Sequence, residues 1–259
     1  MAYALITGAS SGIGHELAKR FARDGHNVIL VARSEEALLD VQREIEADYG
    51  VEAVVLAQDL AKKDAALRLH ERTAAAGLRV DFLVNNAGFG DCAPFLDADW
   101  QKQSDMAQLN MAALMHMTYL YASDMRRRGF GRVLNLASVA ACSGGPYMSV
   151  YYASKAFVLS FSEALSEELR GTGVTVTALC PGPTQTRFEK TADLQASRMF
   201  SLFRPASASD VAEYGYRKMM CGKALAYYGG AVKAMFLGAR IAPRALSRKF
   251  ARYVNGRKP

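Results

Sequence analysis

The sequence predicts an α/β protein: one doubly wound parallel sheet with helices on both faces. Three observations carry that expectation. Short apolar runs alternate with helix-period segments at intervals of about 20 to 35 residues. The runs are too uniformly apolar to have a wet face, as strands buried on both sides must be. The first run breaks into a glycine-rich turn that leads directly into a helical pattern. At 259 residues the chain is long enough for one such domain with a large core, and no internal repeat or low-complexity linker divides it.

Taken in order, Tyr3 to Thr7 is the first strand, and Leu17, Ala18 and Phe21 recur at helical spacing after the turn. Asn27 to Ala32 is the second strand, followed by a helix from about Glu35 to Tyr49. Glu52 to Ala57 is the third, with a helix from about Lys62 to Ala76. Val80 to Val84 is the fourth, running into Asn85-Asn86-Ala87-Gly88 and then a long helical stretch from about Trp100 to Arg128. Asn110 lies amid apolar residues of that stretch, where a polar side chain usually has a specific partner. Val133 to Ala137 is the fifth strand and Val174 to Leu179 the sixth, which ends in Cys180-Pro181-Gly182-Pro183-Thr184.

Composition removes several classes of function. The four cysteines are scattered and form no ligand spacing with the four histidines, so neither a disulfide framework nor a metal site is expected. That usage fits a reducing, cytoplasmic setting. The first apolar run is cut at Gly8 with no basic segment before it, too short for a signal peptide, and no run approaches the ~18 apolar residues of a membrane span. The charge of +7 is unevenly placed. All 25 acidic residues lie at or before Glu213 with 21 of the 32 basic ones, leaving the body at −4 and the last 46 residues at +11. That tail lacks a recognisable nucleic-acid reading module, so no nucleic-acid partner is expected.

Two constellations carry chemistry. In Gly8-x-x-x-Gly12-x-Gly14, between strand and helix, glycines permit close backbone approach and the new helix turns free N–H groups towards an anion. At the end of the second strand, where an acid would meet a ribose 2′-hydroxyl, Ala32-Arg33-Ser34 offers an arginine suited to a 2′-phosphate. This favours NADP(H) over NAD(H). The second constellation runs from Ser138 to Lys155. On a helix starting near Val150, Tyr151 and Lys155 are four apart and share a face. A phenol titrates near pH ~10, and an ammonium close by would favour the phenolate and so make Tyr151 a usable acid and base near neutrality. Ser138, at the end of a strand, can hydrogen-bond a substrate oxygen.

The ordered set Thr7-Gly8-x-x-x-Gly12-x-Gly14, Asp59, Asn85-Asn86-Ala87-Gly88, Asn110, Ser138, Tyr151-x-x-x-Lys155 and Pro181-Gly182 followed by Thr186 resembles the short-chain dehydrogenase/reductase family from about Tyr3 to Tyr228. It is most similar to the hydroxysteroid-dehydrogenase-like branch. The resemblance implies a Rossmann-type catalytic domain over residues 1–230, with residues 231–259 as a basic extension rather than a separate domain. It also implies that Gly8, Ser10, Gly12, Ile13 and Gly14, with Ser11 among them, cradle the pyrophosphate. Asp59 and Leu60 would border the adenine, and Asn86, Ala87 and Gly88 would line the adenosine ribose. Tyr151 would give a proton to the carbonyl oxygen, Lys155 would bond the nicotinamide ribose, Ser138 would hold the same oxygen, and Asn110 would disturb its helix to hold a relaying water. Pro181, Gly182, Thr184 and Thr186 would fix the nicotinamide. Two departures stand out. Ser11 replaces the basic residue of many NADP-using members, and the chain lacks the family's terminal short strand with Asp-Gly-Gly.

The implied reaction interconverts a ketone and a secondary alcohol, with a 3-oxoacyl-thioester reductase or a non-catalytic dinucleotide sensor as alternatives. Thr184 to Ala206 carries Phe188, Met199, Phe200, Leu202 and Phe203, which suits either a lid over a hydrophobic substrate or a lid packed on its own core. From Arg244 to Val254, Arg244, Arg248 and Arg252 share one helix face with Leu246, Phe250 and Tyr253 opposite. Such a helix can bury its apolar side in the protein or against a sister subunit, in a homodimer or homotetramer, or make peripheral contact with an anionic membrane.

Overall fold

A computed structural model of the chain describes residues 2–194 and 197–256. Among these residues seven strands form one sheet: β1 (Ala2–Thr7), β2 (Asn27–Ala32), β3 (Ala53–Ala57), β4 (Arg79–Asn85), β5 (Gly131–Leu136), β6 (Val174–Cys180) and β7 (Leu225–Tyr227). All neighbours are parallel, in the order β3-β2-β1-β4-β5-β6-β7. The helices are α1 (Gly12–Arg23), α2 (Glu35–Tyr49), α3 (Ala65–Ala75), α4 (Trp100–Ala107), α5 (Leu114–Arg128) and α6 (Ser149–Glu168). After β6 come α7 (Phe188–Thr191), α8 (Met199–Leu202), α9 (Ala208–Met220), α10 (Gly230–Ile241) and α11 (Arg244–Asn255).

Alternation along each strand splits its apolar residues between two cores. Ala4 and Ile6 of β1, with Val28 and Leu30 of β2, pack against α1, α2 and α9. Tyr3 and Leu5, with Ile29 and Val31, pack against α3 and α5 on the other face. Both sets are almost completely buried, which is why the strands read as unbroken apolar runs. The one large discrepancy in the sheet is β7: the short terminal strand expected to be missing is present, followed by Tyr228-Gly229-Gly230 where the family carries Asp-Gly-Gly. Three residues, Leu-Ala-Tyr, are too few to give a period, and their strand state comes from pairing with Ala178 to Cys180 of β6.

A chain of polar side chains crosses the second core. Asn85 donates to Thr118 Oγ1 and to Asn135 Oδ1, both at 2.9 Å, and Asn135 in turn donates to Ser162 Oγ at 2.9 Å. It ties β4, β5, α5 and α6 together with every amide partnered, as burial of such groups requires. Because β1 and β4 are neighbours whose following connections leave in opposite directions, the carboxyl ends of β1, β4 and β5 open a crevice. The site lies there.

The C-terminal segment closes the back of that crevice. In α10, Val232 and Phe236 join a small core with Leu114, Val158 and Cys180. In α11 the buried residues are Ala251, Val254 and Asn255, whereas Leu246, Phe250 and Tyr253 are half-exposed or more. The helix therefore packs by a different face from the one its large apolar residues mark. Asn255, which is 1% exposed, accepts from Tyr152 Oη at 3.1 Å and donates to the carbonyl of Pro146 at 3.0 Å. Its own carbonyl accepts from Cys92 Sγ at 3.7 Å, and the Arg198 N–H bonds the carbonyl of Gly256 at 3.2 Å. Asn255 thus joins the loop after β4 to the connection between β5 and α6, and its neighbour Gly256 adds the segment after β6. Asn255→Ala leaves the Tyr152 hydroxyl and the Pro146 carbonyl without partners and should cost about 1–3 kcal/mol of stability in a urea melt, with a folded state of unchanged far-ultraviolet circular dichroism.

Candidate active site

A cavity of about 1230 Å³ runs along the carboxyl ends of the strands. Of the residues expected to act in catalysis or on the cofactor, all but Gly14 and Asn110 lie on its wall; Gly14 packs on Gly8 and Asn110 on Gly88, both of them wall residues.

At one end is the glycine turn. Thr7, the last residue of β1, accepts through Oγ1 from the N–H groups of Asn86 and Ala87 at 3.0 and 2.9 Å, binding the ends of β1 and β4 together. A Cβ on Gly14 would lie 2.3 Å from the Gly8 carbonyl oxygen, so only glycine lets α1 start this close to the strand. Gly12 has φ +59°, and a Cβ there would also strike Thr186 Cγ2 at 2.9 Å. Ser11 precedes α1 with an extended backbone and makes no side-chain cap, so the first turn of the helix offers its N–H groups to the cavity. Arg33 stands exposed on the rim at the end of β2, without an ion-pair partner among the described residues. Leu60 is buried, and Asp59 turns one carboxylate oxygen to the Ala61 N–H at 3.0 Å. Glycines packed against backbone, an uncapped helix start and an unpaired cation at the rim form a cradle that fits a phosphorylated dinucleotide.

At the other end are Ser138, Tyr151 and Lys155. Ser138 follows β5, and its Oγ accepts from the Ala140 N–H at 3.1 Å. Lys155 is 4% exposed, and its ammonium, 5.8 Å from the centre of the Tyr151 ring, donates to the Leu136 carbonyl at 2.7 Å. An ammonium has three protons to donate, and Leu136 takes one. Burial pushes the Lys155 pKa down to about 8. The expected lowering of the Tyr151 pKa is not found; burial moves it the other way. Its ring lies against Phe188, with centroids 5.1 Å apart, and beside Tyr152 at 6.3 Å. Withdrawal from water raises the phenol above its ordinary value, and the Ser138 hydrogen bond opposes that rise only in part. Tyr151 is therefore a protonated hydroxyl at neutral pH, the state an acid needs.

Asn110 is 1% exposed and lies in a π-helical turn, Gln108–Ala113, between α4 and α5. Its Nδ2 donates to the Phe89 carbonyl at 2.9 Å and to Ser154 Oγ at 3.1 Å, and Oδ1 accepts from the Phe89 N–H at 3.2 Å. Ser154 bonds back to the Tyr151 carbonyl at 2.7 Å. The asparagine thus locks α6 and the β4 loop beside Lys155. Pro181, Gly182, Thr184 and Thr186 follow β6 along the wall between the two ends.

The wall beyond Tyr151 is apolar. Met148, Tyr152, Ala192 and Leu194 form a cluster with Ala251 of α11, flanked by Phe188 and Met199. Of the apolar residues expected over the substrate, Phe188 and Met199 line the cavity, Leu202 is 48% exposed and Phe203 is off the wall. The side chain of Phe200 lies outside the described residues. Tyr152, one residue beyond Tyr151, lines the cavity and sends its hydroxyl to Asn255. Sequence reasoning missed Asn255 and Cys92. Only an asparagine at the end of an amphipathic pattern hinted at the first, and nothing hinted at the second.

The short chain dehydrogenase family profile matches residues 2–196. The chain is 35% identical over 177 residues to a very-long-chain 3-oxoacyl-CoA reductase of Laccaria bicolor, a match covering 68% of this chain and 52% of that protein. It thus spans about half the length of that relative. Over 216 residues it is 38% identical to sulfoacetaldehyde reductase 2 of Chromohalobacter salexigens, covering 81% of this chain and 84% of the relative. Among solved structures, a short-chain dehydrogenase from Sphingobium yanoikuyae in complex with NADPH superposes with a TM-score of 0.83 at 29% identity, covering 93% and 94% of the two chains. With the glycine turn, Ser138, Tyr151 and Lys155 on one cavity, and a family profile spanning most of its length, the chain belongs to the short-chain dehydrogenase/reductase family of oxidoreductases.

Proposed function

We propose that the protein is an NADP(H)-dependent reductase that interconverts a ketone and a secondary alcohol on a hydrophobic substrate, such as a 3-oxoacyl chain or a steroid. The observation that carries this reading is the convergence of Ser138, Tyr151 and Lys155 on the cavity that begins at the glycine turn. Support for NADP(H) comes from the unpaired Arg33 at the end of β2 and from the NADPH-bound structural relative. Support for an apolar substrate comes from Met148, Tyr152, Phe188 and Met199 beyond Tyr151 and from the acyl-CoA reductase among the relatives. A homodimer or homotetramer is supported by the exposed Met115 and Tyr119, four residues apart on α5.

When bound, the cofactor supplies the hydride. The residues of this chain do the rest. The uncapped start of α1 and Arg33 hold phosphate groups at one end. Lys155 would offer the protons not taken by Leu136 to the ribose of the bound nucleotide. Ser138 Oγ and Tyr151 Oη are both donors to the substrate carbonyl oxygen, and they stabilise the negative charge that develops there. Tyr151 then releases its proton to that oxygen. Charge on Lys155 offsets the phenolate left behind, a benefit that grows once substrate and cofactor exclude water.

Tyr151→Phe should lower kcat about 100- to 10,000-fold while leaving the Kd for NADPH nearly unchanged, read by stopped-flow and fluorescence titration. Wild-type turnover in that variant would remove Tyr151 from its role. Arg33→Ala should raise the Kd for NADPH about 10- to 100-fold and leave that for NADH unaltered; equal effects on both would reject the 2′-phosphate assignment. Since burial holds Lys155 at about 8, its charge is present below that pH and lost above it. The kcat/KM for carbonyl reduction, which reports the free enzyme, should therefore fall on the alkaline side through a pKa near 8, and a profile flat beyond that point would contradict a catalytic charge on Lys155.

A further inference from the structure

The outer side of the last two helices takes no part in the reaction. Leu237 and Ile241 of α10 are 62% and 78% exposed, and Leu246 and Phe250 of α11 are 61% and 50% exposed. Each pair is four residues apart and so projects from one side of its helix. These side chains are surplus to the core, because α10 already buries Val232 and Phe236, and α11 buries Ala251, Val254 and Asn255. Around them Lys233, Arg240, Arg244, Arg248, Lys249 and Arg252 are all exposed, and none is in an ion pair among the described residues. The last acid of the sequence is Glu213.

We propose that this outer face docks on an anionic lipid surface. Charge selects the occupant. Six cations with no acid in the same two helices would repel a second copy across a two-fold contact, where the same patch must meet its own image. An acidic lipid layer answers the arginines and lysines without any matched geometry, and its acyl boundary receives Leu237, Ile241, Leu246 and Phe250. Among the described residues no helix is long and apolar enough to cross a membrane, so the contact is peripheral. The inner face of the same α11 holds Tyr152 and the Pro146 carbonyl. Docking would therefore set the substrate end of the cavity beside the layer in which apolar carbonyl compounds dissolve.

The test is co-sedimentation of the whole protein with phosphatidylcholine vesicles, alone or containing roughly a third phosphatidylserine, at low and high salt. The proposal expects binding to the anionic vesicles only, weakened by salt. Leu246→Ser with Phe250→Ser should abolish it, and Arg244→Gln with Lys249→Gln should weaken it about fivefold for each cation removed. Thermal melting and NADPH affinity check that the variants fold as the parent does. Equal binding to neutral and anionic vesicles, no binding to either, or binding indifferent to salt would each overturn the proposal without recourse to the variants. So would a dimer that Leu246→Ser with Phe250→Ser dissociates and that ignores vesicles, since the face would then be a subunit contact.

Discussion

A buried ammonium with one protein acceptor is the constraint on which the site turns. Lys155 is almost inaccessible, and withdrawal from water already lowers its pKa, so the fold bears a cost for keeping it there. What keeps it there is the surrounding framework. Leu136, at the end of β5, supplies the acceptor, and Asn110 and Ser154 tie α6 to the β4 loop. The π-helical turn that carries Asn110 interrupts one of the longest helical stretches at the point of contact, as such turns commonly do at functional sites. Under the proposed function, the two protons that Leu136 does not take serve an oxygen-bearing ligand.

The polar chain from Asn85 through Asn135 to Ser162 serves the same end from below. It fixes the relative positions of β4, β5 and α6 by bonds whose loss would leave buried amides without partners. Ser138, Tyr151 and Lys155 come from β5 and α6, and the glycine turn is stitched to β4 through Thr7. Chemistry at one end and anion binding at the other therefore rest on neighbouring strands of one rigid sheet.

Much of this was legible in the sequence because it is local. Asn27 to Ala32 and Glu35 to Tyr49 appear with the bounds their apolar patterns gave, since a buried strand and a capped amphipathic helix each announce themselves within a few residues. The glycine turn and the four-residue step from Tyr151 to Lys155 were readable for the same reason. What escaped depends on distant partners. The strand Leu225–Tyr227 exists only through its pairing with β6. The inner face of α11 carries Ala251, Val254 and Asn255, whereas Leu246 and Phe250 are exposed, so the sequence pattern alone did not decide which side of the helix packs on the protein. The ionisation of Tyr151 was misjudged because a charge four residues away is visible in a sequence, whereas the apolar walls supplied by Phe188 and its neighbours are not.

The long reach of Asn255 bears on how the molecule is made. Its partner Tyr152 is 103 positions earlier and Cys92 is 163 earlier. On a ribosome, β1 to β6 emerge and can pair well before the residue that anchors those loops leaves the exit tunnel. Vectorial synthesis would yield a nascent chain whose nucleotide cradle is finished while its catalytic pocket still lacks a wall, which delays assembly of a working centre until Asn255 itself has emerged.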